Sequence, residues 1–134
     1  MRMLEANLKE QLMNFLSEDV GFGDITTDAV VPARSKVRAH IIVKQPAVVA
    51  GISEAKTFFD MIGVNFTAMA KDGDEVAPET VIAEVEGEGR AVLMAERTVL
   101  NILMRMSGIA TATRRLVRKV GDAGLSVRIA ATRK

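Results

Sequence analysis

The sequence predicts an α+β fold in which helices flank an antiparallel sheet, and three observations predict it. Apolar residues at helical spacing open and close the chain, runs alternating between apolar and polar residues occupy its middle, and turns rich in glycine and aspartate separate those runs.

At the start, Leu4, Leu8, Leu12 and Phe15-Leu16 recur at helical spacing with Glu5, Lys9, Glu10 and Asn14 between them, which predicts an amphipathic helix over residues 4–18. Glu18-Asp19 and Gly21-Phe22-Gly23-Asp24-Ile25-Thr26-Thr27 then set two glycines among acids and hydroxyls, a structured loop in which Asp24 or Thr26 caps backbone N–H groups. Val37, Ala39, Ile41 and Val43 alternate with Arg38, His40, Ile42 and Lys44, so a half-buried strand is expected over residues 36–44 with His40 on its polar face. The β-rich run Val48-Val49-Ala50 meets Gly51, and Ser53 is the expected cap of a helix that reaches Ile62 and ends at Gly63. Val64, Phe66 and Ala68 alternate with Asn65, Thr67 and Met69 in a second strand pattern, and Lys71-Asp72-Gly73-Asp74 is a turn. Another strand is expected over residues 81–86. Gly87-Glu88-Gly89 should then break the chain before a helix over residues 93–106, which Ser107-Gly108 interrupts and which resumes to about residue 120. After a loop at 121–124, Val127-Arg128-Ile129-Ala130-Ala131 begins a further strand, followed only by Thr132-Arg133-Lys134. A strand needs partners, so the chain is expected to be truncated, ending on the first pieces of a larger unit.

Composition narrows the chemistry. With 134 residues, 49% of them hydrophobic, the chain suits one domain and no second complete one. Eighteen basic and 17 acidic residues leave a net charge of +1, which supplies no overall field toward nucleic acid or an anionic membrane. No apolar run is long enough to span a bilayer and the first residues are too polar for a secretory signal, so a cytoplasmic protein is expected. Zero cysteines and one histidine exclude disulfides, thiol catalysis, cysteine–histidine zinc sites and a Ser-His-Asp triad within this chain. Carboxylates, lysines, arginines, hydroxyls and backbone groups are left to carry any function.

Four constellations could do so. Arg97, Asn101 and Arg105 fall at i, i+4 and i+8 and share a helix face; two guanidinium forks flanking an amide can grip carboxylates or phosphates, although solvation of an amphipathic helix produces the same stripe. Thr132, Arg133 and Lys134 follow a predicted strand, where ligands of open α/β sheets and barrels sit, although a basic chain end has the same composition. Glu18-Asp19 and Asp24 could hold Mg²⁺ or move protons, but beside glycine and threonine they suit capping. The segment from Lys71 to Gly87 resembles the hairpin of biotinyl and lipoyl carrier domains, yet Glu86-Gly87-Glu88-Gly89-Arg90 offers no lysine for attachment, so only the barrel-sandwich (hammerhead-like) geometry is inferred. His40 has no second histidine or cysteine beside it to complete a metal set, and no Walker A or dinucleotide fingerprint is present.

Taken together, Glu18-Asp19 with Gly23-Asp24-Ile25-Thr26-Thr27, Asp72-Gly73-Asp74-Glu75-Val76, Glu96-Arg97-Thr98-Val99-Leu100-Asn101, Ser107-Gly108-Ile109-Ala110-Thr111-Ala112-Thr113 and Thr132-Arg133-Lys134 resemble the quinolinate phosphoribosyltransferase family, also called nicotinate-nucleotide pyrophosphorylase (carboxylating). The resemblance runs through essentially the whole chain in order. It implies a decarboxylating transfer in NAD biosynthesis: quinolinate attacks the anomeric carbon of phosphoribosyl pyrophosphate, pyrophosphate leaves with Mg²⁺ assistance, and carbon dioxide is lost to give nicotinate mononucleotide. It further implies that Arg97 enters the barrel active site of a dimer partner, that Thr132, Arg133 and Lys134 belong to a substrate-binding motif on the first barrel strand, and that Glu96 orients the helix. No residue of this chain is assigned a catalytic role, and the Mg²⁺ ligands are expected outside it. The implied division is an amino-terminal domain over residues 1–110 and the first helix and strand of an α/β barrel over 111–134, in a homodimer or higher homo-oligomer, with the 134-residue chain alone inactive. A paralogous transferase for nicotinate or another acid, such as the type linked to molybdate transport, and a non-catalytic assembly module remain alternatives.

Overall fold

A computed structural model describes residues 7, 10–14, 30–32 and 34–132. In chain order it contains β1 (Lys36–Ile42), β2 (Ala47–Val48), α1 (Ile52–Met61), β3 (Asn65–Ala68), β4 (Glu75–Val76), β5 (Val81–Glu88) and α2 (Gly89–Asp122). The α+β expectation holds: β1, β5 and β3 form an antiparallel sheet in that order, β2 and β4 form a second antiparallel pair, and the helices pack against them. Of the helix expected over residues 4–18, residues 7 and 10–14 are described and helical; the Glu18–Asp19 and Asp24–Thr26 loop lies outside the described residues.

Burial of apolar side chains sets the architecture. Ile52, Ala55, Phe58 and Phe59 of α1 meet Phe66 of β3, Ile82, Ala83 and Val85 of β5, and Val92, Ala95, Val99 and Leu103 of α2 in one core, which Leu12 joins. Phe59 stacks on Phe66 with ring centroids 5.7 Å apart and meets Phe58 edge-on at 6.5 Å. The opposite face of the sheet is polar: Arg38 stands across from Glu86 and His40 across from Glu84 in the β1–β5 register, with Arg38 3.2 Å from Glu86 and His40 Nε2 3.0 Å from Glu84. The alternation that predicts this face is therefore correct, but the apolar face of β1 is less covered than expected. Val37 and Ala39 are exposed and Ile41 half-buried, because a cavity of about 580 Å³ lies between that face and α2.

Several boundaries differ from the sequence reading, each for a local reason. Strand β1 ends at Ile42 after a register shift between Ile41 and Ile42. Ser53 does not cap α1: its hydroxyl is turned to Glu54, and the Ile52 N–H instead donates to Asp72 Oδ1 at 2.9 Å, a cap supplied from a turn twenty residues downstream. Gly87 does not break the chain; it lies inside β5, where a Cβ would stand 3.1 Å from a Val64 methyl, so glycine is what lets the strand pass. Helix α2 begins directly at Gly89 and runs 34 residues without interruption at Ser107-Gly108. A glycine inside a helix costs about 1 kcal/mol, which a long packed helix absorbs. Finally, residues 125–132 contain no strand and are exposed: the alternation at 127–131 has no described partner to pair with.

The core and the Asp72 cap differ in magnitude. Phe58→Ala should lower stability by about 3–5 kcal/mol and Asp72→Ala by about 1 kcal/mol, read from urea denaturation midpoints; equal losses would show that the cap holds more than one backbone group.

Candidate functional site

The outer face of α2 carries the candidate site. Because Val92, Ala95, Thr98, Val99 and Leu103 turn inward, the 100° step per residue turns Arg97, Asn101 and Arg105 outward, and all three are exposed. None of the three side chains hydrogen-bonds or ion-pairs with another described residue. Among the described residues the donors of both guanidinium forks are thus unpaired, and forks of this kind can accept a carboxylate or phosphate in bidentate geometry. Glu96, also exposed, faces the cavity beside α2 along with His40 and Lys44, whereas Arg97, Asn101, Arg105 and Thr132 do not line it.

Thr132 is exposed in the segment that follows α2, and Arg133 and Lys134 lie outside the described residues. No hydrogen bond or ion pair among the described residues links Thr132 to the Arg97 face. The arginine stripe is therefore assembled by one helix, to which Thr132 makes no hydrogen bond or ion pair.

Two hydroxyls of the Ser107–Thr113 motif have an evident task. Ser107 Oγ accepts the Ala50 N–H at 3.0 Å and donates to the Ala50 carbonyl at 3.2 Å. One turn later Thr111 Oγ1 accepts the Val48 N–H at 2.9 Å and donates to the Ser107 carbonyl at 2.7 Å. Meanwhile the N–H of Val49 donates to Asp74 O and Gly73 N–H donates to Val49 O, both at 2.8 Å. The segment from β2 to α1 is thus bonded alternately to a helix on one edge and to the Asp72–Asp74 turn on the other. Gly51 at φ +101° completes the fit, since a Cβ there would stand 3.1 Å from Met106 Sδ on α2. The contacts of Ser107, Thr111 and Met106 with the Val48–Gly51 segment join residues more than fifty positions apart, and no local sequence signal announces them. Glu75, Arg114 and Arg118 form a further cluster that sequence reasoning does not single out: Arg118 Nη2 stands 2.6 and 2.8 Å from the two Glu75 oxygens, and Arg114 Nε 3.6 Å from one of them.

Among the described residues no group of three acidic, histidine or cysteine side chains could hold a metal ion, and no helix is long and apolar enough to cross a membrane.

Comparison with known proteins bears directly on this arrangement. The quinolinate phosphoribosyl transferase N-terminal domain profile matches residues 24–107, from the acidic-glycine loop through Arg97 to Ser107. The chain belongs to this family. A probable nicotinate-nucleotide pyrophosphorylase (carboxylating) of Methanocaldococcus jannaschii is 42% identical over 132 residues, covering 98% of this chain and 46% of the relative. The Bacillus subtilis protein of the same description is 38% identical over 134 residues, covering 98% and 45%. The crystal structure of NadC from Streptococcus pyogenes superposes with a TM-score of 0.82 at 30% identity, covering 87% of this chain and 42% of that one; a nicotinate-nucleotide pyrophosphorylase from Ehrlichia chaffeensis gives 0.79 at 34% identity, covering 84% and 42%. The chain spans about half the length of the curated relatives it matches.

Within this family domain, Ser107→Ala should free both Ala50 backbone groups and cost about 1–3 kcal/mol. Amide hydrogen exchange at Ala50 and Val48 should accelerate while Phe66 in the sheet keeps its protection. Unchanged exchange at Ala50 would mean that the hydroxyl is dispensable there.

Proposed function

We propose that this chain is the amino-terminal part of a phosphoribosyltransferase that makes nicotinate mononucleotide, pyrophosphate and carbon dioxide from quinolinate and phosphoribosyl pyrophosphate, in NAD biosynthesis. The observation that carries the reading is Arg97: a guanidinium on the exposed face of a helix whose other side is locked into the core, without a partner among the described residues of its own protomer. A cation held out by a rigid element is preorganised for an anion on another molecule, and an arginine fork fits a carboxylate or phosphate in bidentate geometry.

In the reaction, the pyridine nitrogen forms a bond to the anomeric carbon as the bond from that carbon to pyrophosphate breaks. The ring carboxylate adjacent to the nitrogen departs as carbon dioxide, leaving its electron pair on the ring carbon, which takes up a proton. Quinolinate is a dianion and the departing pyrophosphate gathers negative charge, so both demand fixed cations. Arg97 supplies one of them to the active site of a partner subunit in a homodimer or larger homo-oligomer. Thr132, Arg133 and Lys134 serve the substrate carboxylates in the chain's own site. Mg²⁺ would screen the pyrophosphate charge, and by the family resemblance its ligands would come from outside this chain. Residues 1–110 form the amino-terminal domain, of barrel-sandwich (hammerhead-like) type, and 111–134 lead into an α/β barrel. The setting is cytoplasmic.

The test is complementation between chains. Polypeptide 1–134 alone, given quinolinate, phosphoribosyl pyrophosphate and Mg²⁺, should form no nicotinate mononucleotide. Mixed with a barrel-bearing relative whose own counterpart of Arg97 is replaced by alanine, it should restore formation, and Arg97→Ala should cut that rescue by about 100-fold or more. Rescue that survives Arg97→Ala would reduce the chain to a passive assembly module.

A further inference from the structure

Two exposed arginines of α2 lack the partners that a helix ordinarily provides. Acids three or four positions away are the natural neighbours of a cation on a helix surface. Arg97 has Leu93, Met94, Leu100 and Asn101 at those positions, and Arg105 has Asn101, Ile102, Gly108 and Ile109. No acid stands between Glu96 and Asp122, although the chain as a whole holds 17 acids against 18 bases. Other helical cations show the contrast: Lys56 stands 2.9 Å from Asp60, four residues on, and Arg118 2.6 Å from Glu75. Beside the two unpaired arginines, Leu93, Met104 and Ile109 are 42, 63 and 62% exposed. Arginine and methionine without acids is the composition of a surface that another molecule covers, whereas a face built for solvation alone mixes both signs of charge.

Spacing then decides how many anions this face can meet. Arg97 and Arg105 lie eight residues apart, about 12 Å along the helix axis. Long side chains on a helix lean toward its N-terminus, so the two forks lean the same way and keep that separation instead of converging. The carboxylates of quinolinate sit on neighbouring ring carbons, within reach of a single fork. The other fork is left for an anion farther along the helix. The second substrate of the proposed reaction supplies one, since phosphoribosyl pyrophosphate carries phosphates on both C1 and C5 of its ribose.

We infer that Arg105 is a second substrate-binding cation of the transfer site that Arg97 enters, and that the two arginines divide the substrates between them: one holds the quinolinate carboxylates and the other a phosphate of phosphoribosyl pyrophosphate. The inference rests on the function proposed above and adds to it a division of labour along one helix.

Steady-state kinetics of the intact protein carrying this chain test it, with each substrate varied while the other saturates. Arg97→Ala should raise the KM for one substrate by about tenfold or more, and Arg105→Ala should raise the KM for the other to a similar extent. Thermal midpoints should stay at the value of the unaltered protein, because both side chains are exposed and without partners among the described residues. Arg105→Lys, which keeps the charge but not the fork, should recover part of the loss. Both alanine variants raising the KM for the same substrate would overturn the inference, and so would an Arg105→Ala protein with both KM values unchanged. A fall in kcat and thermal midpoint at constant KM, in Arg105→Ala and Arg105→Lys alike, would mark Arg105 as structural and overturn it as well. An intact protein that forms no nicotinate mononucleotide with both arginines in place defeats the proposed function itself, whereas an active one indifferent to Arg105→Ala defeats only the division between the arginines.

Discussion

The burial of one helix side governs the arrangement. Val92, Ala95, Val99 and Leu103 bring α2 against the same core that receives Phe58, Phe59 and Phe66, and this fixes which side of α2 meets solvent. At about 1.5–3 kcal/mol for each large apolar side chain removed from water, rotating the helix to expose that side would cost more than any single surface contact could return. The outward face of Arg97, Asn101 and Arg105 is thus a by-product of the inward one. The arginine does not need a holding partner because the opposite side of its helix is already committed.

A second constraint is polar. The segment from β2 to the start of α1 has donors and acceptors on both edges, and burying them unpaired would be costly. One edge is met by the Asp72–Asp74 turn and the other by hydroxyls of α2, so a short strand pair too small to stand alone is secured by a helix. Conserving space at Gly51 and Gly87 belongs to the same requirement: each lets backbone approach a side chain, Met106 in one case and Val64 in the other, within reach of van der Waals contact.

How far this was legible in the residues depends on the range of the interactions involved. Alternation in residues 36–43 and 64–68 marks the strands because a pleated chain turns successive side chains to opposite faces, and Arg97, Asn101 and Arg105 reveal their common face through helical spacing alone. The helix over 52–61 is likewise visible in its pattern, but its cap is not, since Asp72 reaches Ile52 across a turn. Gly87 and Ser107-Gly108 read as breaks on local propensity; one instead admits Val64 and the other joins Ala50 across 57 residues. The fork of Glu75 with Arg118, separated by 43 residues, has no local signature at all. Residues 127–131 mislead in the opposite way: they carry a strand's pattern, but pattern without a neighbouring chain to bond is not a strand.

The length of α2 gives small angles large effects. Asp122 lies nineteen residues beyond Leu103, the last buried position of the helix, an arm of about 28 Å at 1.5 Å per residue. Tipping that arm by a mere five degrees carries its tip through roughly 2–3 Å, comparable to the length of a hydrogen bond. A substitution that leaves the hydrophobic footing intact can therefore still throw the tip out of alignment, and repacking beneath Leu103 would be felt farthest from where it occurs.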